Sequence, residues 1–158
     1  MSTLLKPSSL LPKGMRIQQI NHLTLFKFTD ELGDKQQEIS INNQKTELFS
    51  SGTQHGTPEH YATINNNVQE MINSGQYKEI YVNKALSTSV NSGSQIRPDI
   101  VGIRYNGKTD VIEVISPSQT AEELQNKIKE DIIPNFTSKK IIVGKTKVLE
   151  IGESFIIE

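Results

Sequence analysis

The chain has no cysteine in 158 residues, which excludes disulfide scaffolds, thiolate zinc sites and cysteine nucleophiles. Histidine is scarce as well. His22, His55 and His60 are the full set, and no two have the one-turn helical spacing of a zinc-binding pair. No apolar run approaches the roughly 18 residues of a membrane span, and the start, Met1 to Pro7, lacks the apolar core and small-residue cleavage site of a signal peptide. A soluble chain is expected. There is also no excess of charge of one sign: the net charge is -1 with 22% of residues charged, so any basic surface must be local. The length suits one domain with a real core and leaves room for a small appended subdomain.

Residues 1 to 50 open with a Pro/Ser/Leu-rich leader, alternate apolar and polar through Leu23 to Phe28, turn near Asp30 to Asp34 and resume at Glu38 to Ile41. This predicts an edge hairpin or small β-rich extension, with the boundary in the Ser/Gly/Thr loop of residues 50 to 56 and the main domain over 51–158. Thr57-Pro58 is a strong helix start, and Tyr61, Ile64, Val68, Met71 and Ile72 form one apolar stripe up to a stop at Gly75. A strand follows at about Ile80 to Leu86, then a polar loop from Ser87 to Ser94. Thr120-Ala-Glu-Glu123 fits a capping box opening a helix that buries Ala121, Leu124, Ile128 and Ile132 and ends at Pro134. Lys140 to Val143 reads as a short strand and the tail as one or two more. From residue 57 the order is α-β-β-β-α-β.

The stretch Arg97 to Ser116 carries the most chemistry, because both of its arms are apolar on both faces and yet hold Asp99 and Glu113. Unpaired, two anions in a covered strand pair would cost several kcal/mol or take up protons. If Tyr105-Asn106-Gly107 form a three-residue loop, Arg104 faces Lys108 and Asp99 faces Glu113, with Cβ atoms roughly 5 Å apart and one cation able to bridge both acids. A two-residue Asn-Gly turn would instead oppose Asp99 to Val114 and splay the acids to opposite faces. The three-residue loop is favoured because it lets one ion neutralise both.

The order of elements, with Pro98-Asp99 on one hairpin arm and Glu113-Val-Ile-Ser116 on the next, resembles the PD-(D/E)xK nuclease superfamily. The Glu-Val-x-Ser form, followed by Ser118-Gln119-Thr120 and a helix, is most similar to the nuclease domains at the C-termini of bacterial polymorphic and contact-dependent inhibition toxins, as is Gly56-Thr-Pro-Glu-His60 leading to Ile80-Tyr-Val-Asn83. The resemblance covers roughly residues 52 to 145. It implies an α/β (α+β) restriction-endonuclease-like αβββαβ core with a central mixed sheet flanked by helices, and hydrolysis of DNA or tRNA phosphodiesters. It further implies a Mg²⁺ or Mn²⁺ ion on Asp99 and Glu113, with the Ile115 carbonyl as a further ligand, and an immunity protein as partner. A toxin of this kind is secreted or surface-delivered and acts in the cytoplasm of its target cell.

One position departs from the pattern: Ile115 stands where the superfamily has its strand lysine. Lys127, on the flank of the following helix about 100° from its apolar stripe, is the candidate replacement, with an i,i+4 partnership to Glu123 as the competing role. Ser116 and Gln119 are candidates to orient water or a metal-bound ligand, and His60 to contact substrate or donate a proton, against a capping or packing role. Glu70 points about 150° from the first helix's stripe and Glu59 suits the helix dipole, so both read as solvated. Arg97, Arg104, Lys139, Lys140, Lys145 and Lys147 are possible phosphate contacts, though such residues usually serve as solvated strand ends. The loss of the strand lysine leaves one reading from another class, a non-catalytic binding module on the same scaffold.

Overall fold

The computed structural model describes residues 15–17, 26–28, 35–41, 43–51 and 56–157, with side chains from Glu38 onward. The leader, the expected turn at Asp30 to Asp34 and most of the expected boundary loop lie outside the described residues. Strands β1 (Met15–Ile17) and β2 (Phe26–Phe28) form an antiparallel pair of their own. The remaining strands, β3 (Lys35–Ile41), β4 (Gln44–Ser50), β5 (Tyr77–Val82), β6 (Ile100–Arg104), β7 (Lys108–Val114) and β8 (Ile142–Leu149), make one six-stranded mixed sheet in sequence order. β4 runs parallel to β5 and β7 to β8; the other neighbours are antiparallel. The two arms expected to pair, Leu23 to Phe28 and Glu38 to Ile41, have different partners: β2 pairs with β1, while β3 pairs with β4 and stands at the edge of the six-stranded sheet.

Helix α1 (Pro58–Ser74) starts where Thr57 accepts a hydrogen bond from the His60 amide at 3.2 Å and Pro58 occupies the first turn; it stops at Gly75, whose φ of 70° is left-handed. Ile64, Val68, Met71 and Ile72 pack from it onto one sheet face, against Ile80, Ile100, Ile112 and Val114. Asn67, buried in the same helix, donates to the Glu153 carbonyl and accepts from the Phe155 amide, which fastens the C-terminal tail over this layer. Asn67 is a polar break in the stripe that becomes intelligible only once the tail is in place.

Val101 and Val111 point to the opposite face, where they meet Ile128, Ile132 and Phe136. These come from α3 (Ala121–Lys127), a π-helical turn (Ile128–Ile132) and α4 (Ile133–Ser138). The Thr120/Glu123 capping box is formed in both directions. Ala121 is exposed, so the buried side of this segment begins at Leu124. Pro134 does not end the helix as expected. It lacks an N–H and would collide with the carbonyl of Glu130 in a regular α-helix, and the widened turn before it absorbs the misfit so that the helix resumes for another turn and a half. The coverage of both faces explains why the β6–β7 hairpin carries apolar residues on both of its sides.

Three further boundaries differ from expectation. β5 ends at Val82, and Leu86 opens a one-turn helix, α2 (Leu86–Ser89), inside the segment expected to be loop, its backbone tied to Ile96. The last strand begins at Ile142 and runs to Leu149, after which no strand occurs among the described residues. β8 also bulges opposite Asp110, where the Lys145 amide donates to Asp110 Oδ1 at 2.7 Å. A Cβ on Gly144 would lie 2.2 Å from that oxygen, so the bulge requires glycine there.

Candidate functional site

The loop that joins β6 to β7 sets the position of the acids. Gly107 has φ 91° and donates its amide to the Arg104 carbonyl at 3.0 Å, and the strands pair Ile100 with Ile112, Val101 with Val111, Gly102 with Asp110 and Ile103 with Thr109. Continued one residue, this register opposes Asp99 to Glu113 on the α3 side of the sheet. The two side chains interlock across the strands: Glu113 Oε2 accepts from the Asp99 amide at 3.1 Å, and Asp99 Oδ2 from the Val114 amide at 2.8 Å. Both are buried, at 4% and 2% exposure for Asp99 and Glu113. The Asp99 backbone is held from the other side, where Asn83, left-handed at φ 53°, donates its amide to the Asp99 carbonyl at 3.0 Å.

Lys127 reaches inward from α3, and its Nζ lies 3.1 Å from Glu113 Oε1. Its side chain is 30% exposed while that of Glu113 is 3% exposed, so the ammonium stands between the buried carboxylate and solvent. Glu123 instead turns back to cap its own helix. Even with Lys127 and an amide as donors, the Glu113 carboxyl is pushed up to about 7, first by burial and then by the charge of Asp99. Burial thus outweighs what the two donors return to the charged form.

His60 sits at the N-terminal end of α1, and its Nε2 is 2.8 Å from the Val114 carbonyl and 3.5 Å from Asp99 Oδ2. The ring is 3% exposed. With Nε2 donating to the Val114 carbonyl, His60 braces Asp99 from behind, in keeping with the packing role that the sequence left open beside a substrate contact. Ser116 and Gln119, the candidates to orient water or a metal-bound ligand, are bonded to each other. Gln119 Oε1 accepts from the Ser116 hydroxyl at 2.9 Å and from the Ser116 amide at 3.2 Å, which closes the loop between β7 and α3. Ile115 donates its amide to the Leu149 carbonyl at 2.8 Å, so the strand-lysine position is spent on the β8 edge.

Two basic residues expected near phosphates have other engagements. Arg104 is buried and donates from Nε to Asp110 Oδ2 at 2.7 Å and from Nη1 to Gln76 at 2.6 Å, with its guanidinium 5.1 Å from the Tyr77 ring centre. Tyr77 donates its hydroxyl to the same Asp110 oxygen at 2.5 Å. Asp110, which has no place among the residues singled out from the sequence, is thus a fixed structural anion; its partners Arg104 and Tyr77 face each other across β6 and β5, a long-range pairing with no local signal. Lys145 lies over the Phe155 ring. Lys139, Lys140 and Lys147 are exposed, as is Arg97, which donates to the Asn83 carbonyl.

Among the described residues no group of three or more His, Asp or Glu side chains converges as a ready cage for one ion. Two carboxylates from adjacent strands still fit a hard divalent cation of the Mg²⁺ kind, which is commonly held by one or two carboxylates and completes its shell with water and substrate phosphate. Burial is the first cause of the raised Glu113 carboxyl and the charge of Asp99 the second, and a bound cation would offset the latter. Among the described residues no helix is long and apolar enough to cross a membrane. No family model, curated protein or solved structure matches this chain.

Proposed function

We propose that the chain is a metal-dependent nuclease of restriction-endonuclease-like fold that hydrolyses phosphodiesters of DNA or tRNA. The observation that carries this reading is the buried Asp99–Glu113 pair on one face of adjacent strands, with Lys127 supplied to it from the following helix. The order from residue 57 supports it, α-β-β-β-α-β apart from the one-turn α2 between β5 and β6. Asp99 and Glu113 are the residues to hold Mg²⁺ or Mn²⁺, which when bound supplies charge neutralisation and a lowered water pKa at the phosphate.

The chain's own groups do the rest. Lys127 takes the part of the strand lysine missing at Ile115: its ammonium, at the solvent side of Glu113, meets the anionic phosphate and offsets charge that develops in the transition state. His60 keeps Asp99 in position through the Val114 backbone. In the role suggested by its sequence resemblance, the domain is the effector of a bacterial toxin, delivered into the cytoplasm of a target cell. An immunity protein would cover the mouth around Lys127 in the producing cell.

Incubation with plasmid DNA and with total tRNA, with and without Mg²⁺ or Mn²⁺, tests the reading. Cleavage is expected only with metal, at background level in Asp99→Asn and Glu113→Gln, and reduced about a hundred- to a thousandfold in Lys127→Met. Intact substrates under both metals would leave the non-catalytic binding module in its place.

A further inference from the structure

The donors around the acid pair differ in their freedom to leave it. Glu113 Oε2 and Asp99 Oδ2 are held by the Asp99 and Val114 amides, at 3.1 and 2.8 Å, and these are fixed in the hairpin backbone. His60 is buried, and its ring is tied to the Val114 carbonyl. Lys127 is held otherwise. It is the last residue of α3, its side chain is 30% exposed, and its ammonium has Glu113 Oε1, at 3.1 Å, as its one partner among the described residues. A flexible stem held by a single charged contact can swing to solvent with no change of backbone.

Charge makes the same distinction. Asp99 and Glu113 when ionised carry two negative charges in a nearly dry site; the ammonium offsets one of them, and a divalent cation would offset both. An ammonium kept beside that cation would be a surplus positive charge in the same enclosed space, where like charges repel strongly. Lys127 also stands between Glu113 and solvent, so an ion arriving from that side meets its ammonium first. We infer that Lys127 is an exchangeable counter-ion: its ammonium and a divalent cation exclude each other from the acid pair, and binding of the cation sends Lys127 toward solvent. The inference rests on the nuclease reading and adds to it how the site is regulated. Lys127 becomes available to an anionic phosphate only once it has left Glu113, so metal binding precedes its engagement with substrate.

Metal affinity and lysine exposure test the exchange without reference to cleavage. Mn²⁺ is titrated calorimetrically, at one ionic strength, into the full chain as wild type, Lys127→Met and Lys127→Arg. Lys127→Met is expected to bind Mn²⁺ about tenfold or more tighter than the wild type, because the competing charge is gone, and Lys127→Arg, which keeps that charge, no tighter. A second measurement needs no variant. Acetylation of wild-type Lys127 by a succinimidyl ester, followed by peptide mass mapping, should be several-fold faster in saturating Mg²⁺ than in EDTA, with the exposed Lys139 and Lys140 as internal standards. Equal or weaker Mn²⁺ affinity in Lys127→Met, or acetylation of Lys127 that Mg²⁺ leaves unchanged or slows, would overturn the exchange. Tighter Mn²⁺ binding by Lys127→Met with no cleavage of plasmid or tRNA by the wild type would keep the exchange and remove the nuclease reading. Metal-dependent cleavage with unaltered Mn²⁺ affinity in Lys127→Met would do the reverse.

Discussion

Glu113 is held against its own ionisation. Its folded pKa, about 7, lies above the ordinary 4.5 because burial and the charge of Asp99 outweigh Lys127. Below pH 4.5 folded and unfolded chains both carry the proton and nothing depends on it. Between 4.5 and 7 the unfolded chain ionises first while the folded one keeps its proton, so stability falls as pH rises, and above 7 the loss is complete at roughly 3 kcal/mol. Without metal, thermal melting should therefore show Glu113→Gln matching the wild type below about pH 4 and exceeding it at pH 8 by about 1–3 kcal/mol, less than the full term because Lys127 loses its partner. Added Mn²⁺ should raise the wild-type midpoint and leave that of the variant unmoved. A variant less stable than wild type at pH 8 would mean that Glu113 belongs to a structural ion pair.

Among the elements, the β6–β7 hairpin and the β8 bulge divide what could be read in the sequence from what could not. Tyr105-Asn106-Gly107, Thr57-Pro58 with Gly75, and the Thr120–Glu123 box each act within a few residues, and the local chemistry of left-handed glycine and side-chain caps decides them. From the hairpin register the Asp99–Glu113 pairing followed, and the position of Lys127 on its helix flank brought the third group. Long-range partners were hidden. Gly144 looks like ordinary punctuation until Asp110 and Lys145 are seen to share the bulge, and Pro134 reads as a stop because nothing nearby announces a π-turn. That His60 packs was one of the two roles open to it in the sequence, but its partner, the Val114 carbonyl 54 residues away, carries no local signal. Gly144→Ala should destabilise the fold by about 2 kcal/mol, measured by urea unfolding, since backbone and a buried carboxylate must move to admit one methyl. An unchanged unfolding midpoint would show that the bulge adapts freely.

On the scale of the whole molecule, two layers of helix leave one end of the sheet where α1 from one face and α3 from the other both reach the same hairpin. Asp99 is braced by His60 from the first and Glu113 is met by Lys127 from the second, so the site depends on both layers being docked. The chain is near neutral overall, and the cation that stands at the acid pair is Lys127. Everything functional in this account depends on one ion shared by the two acids. Calorimetric titration of Mn²⁺ into the metal-free protein, repeated with Asp99→Asn and Glu113→Gln, tests that most directly. A single binding site lost in both variants is the predicted result, and either no uptake by the wild type or uptake that neither substitution alters would contradict it.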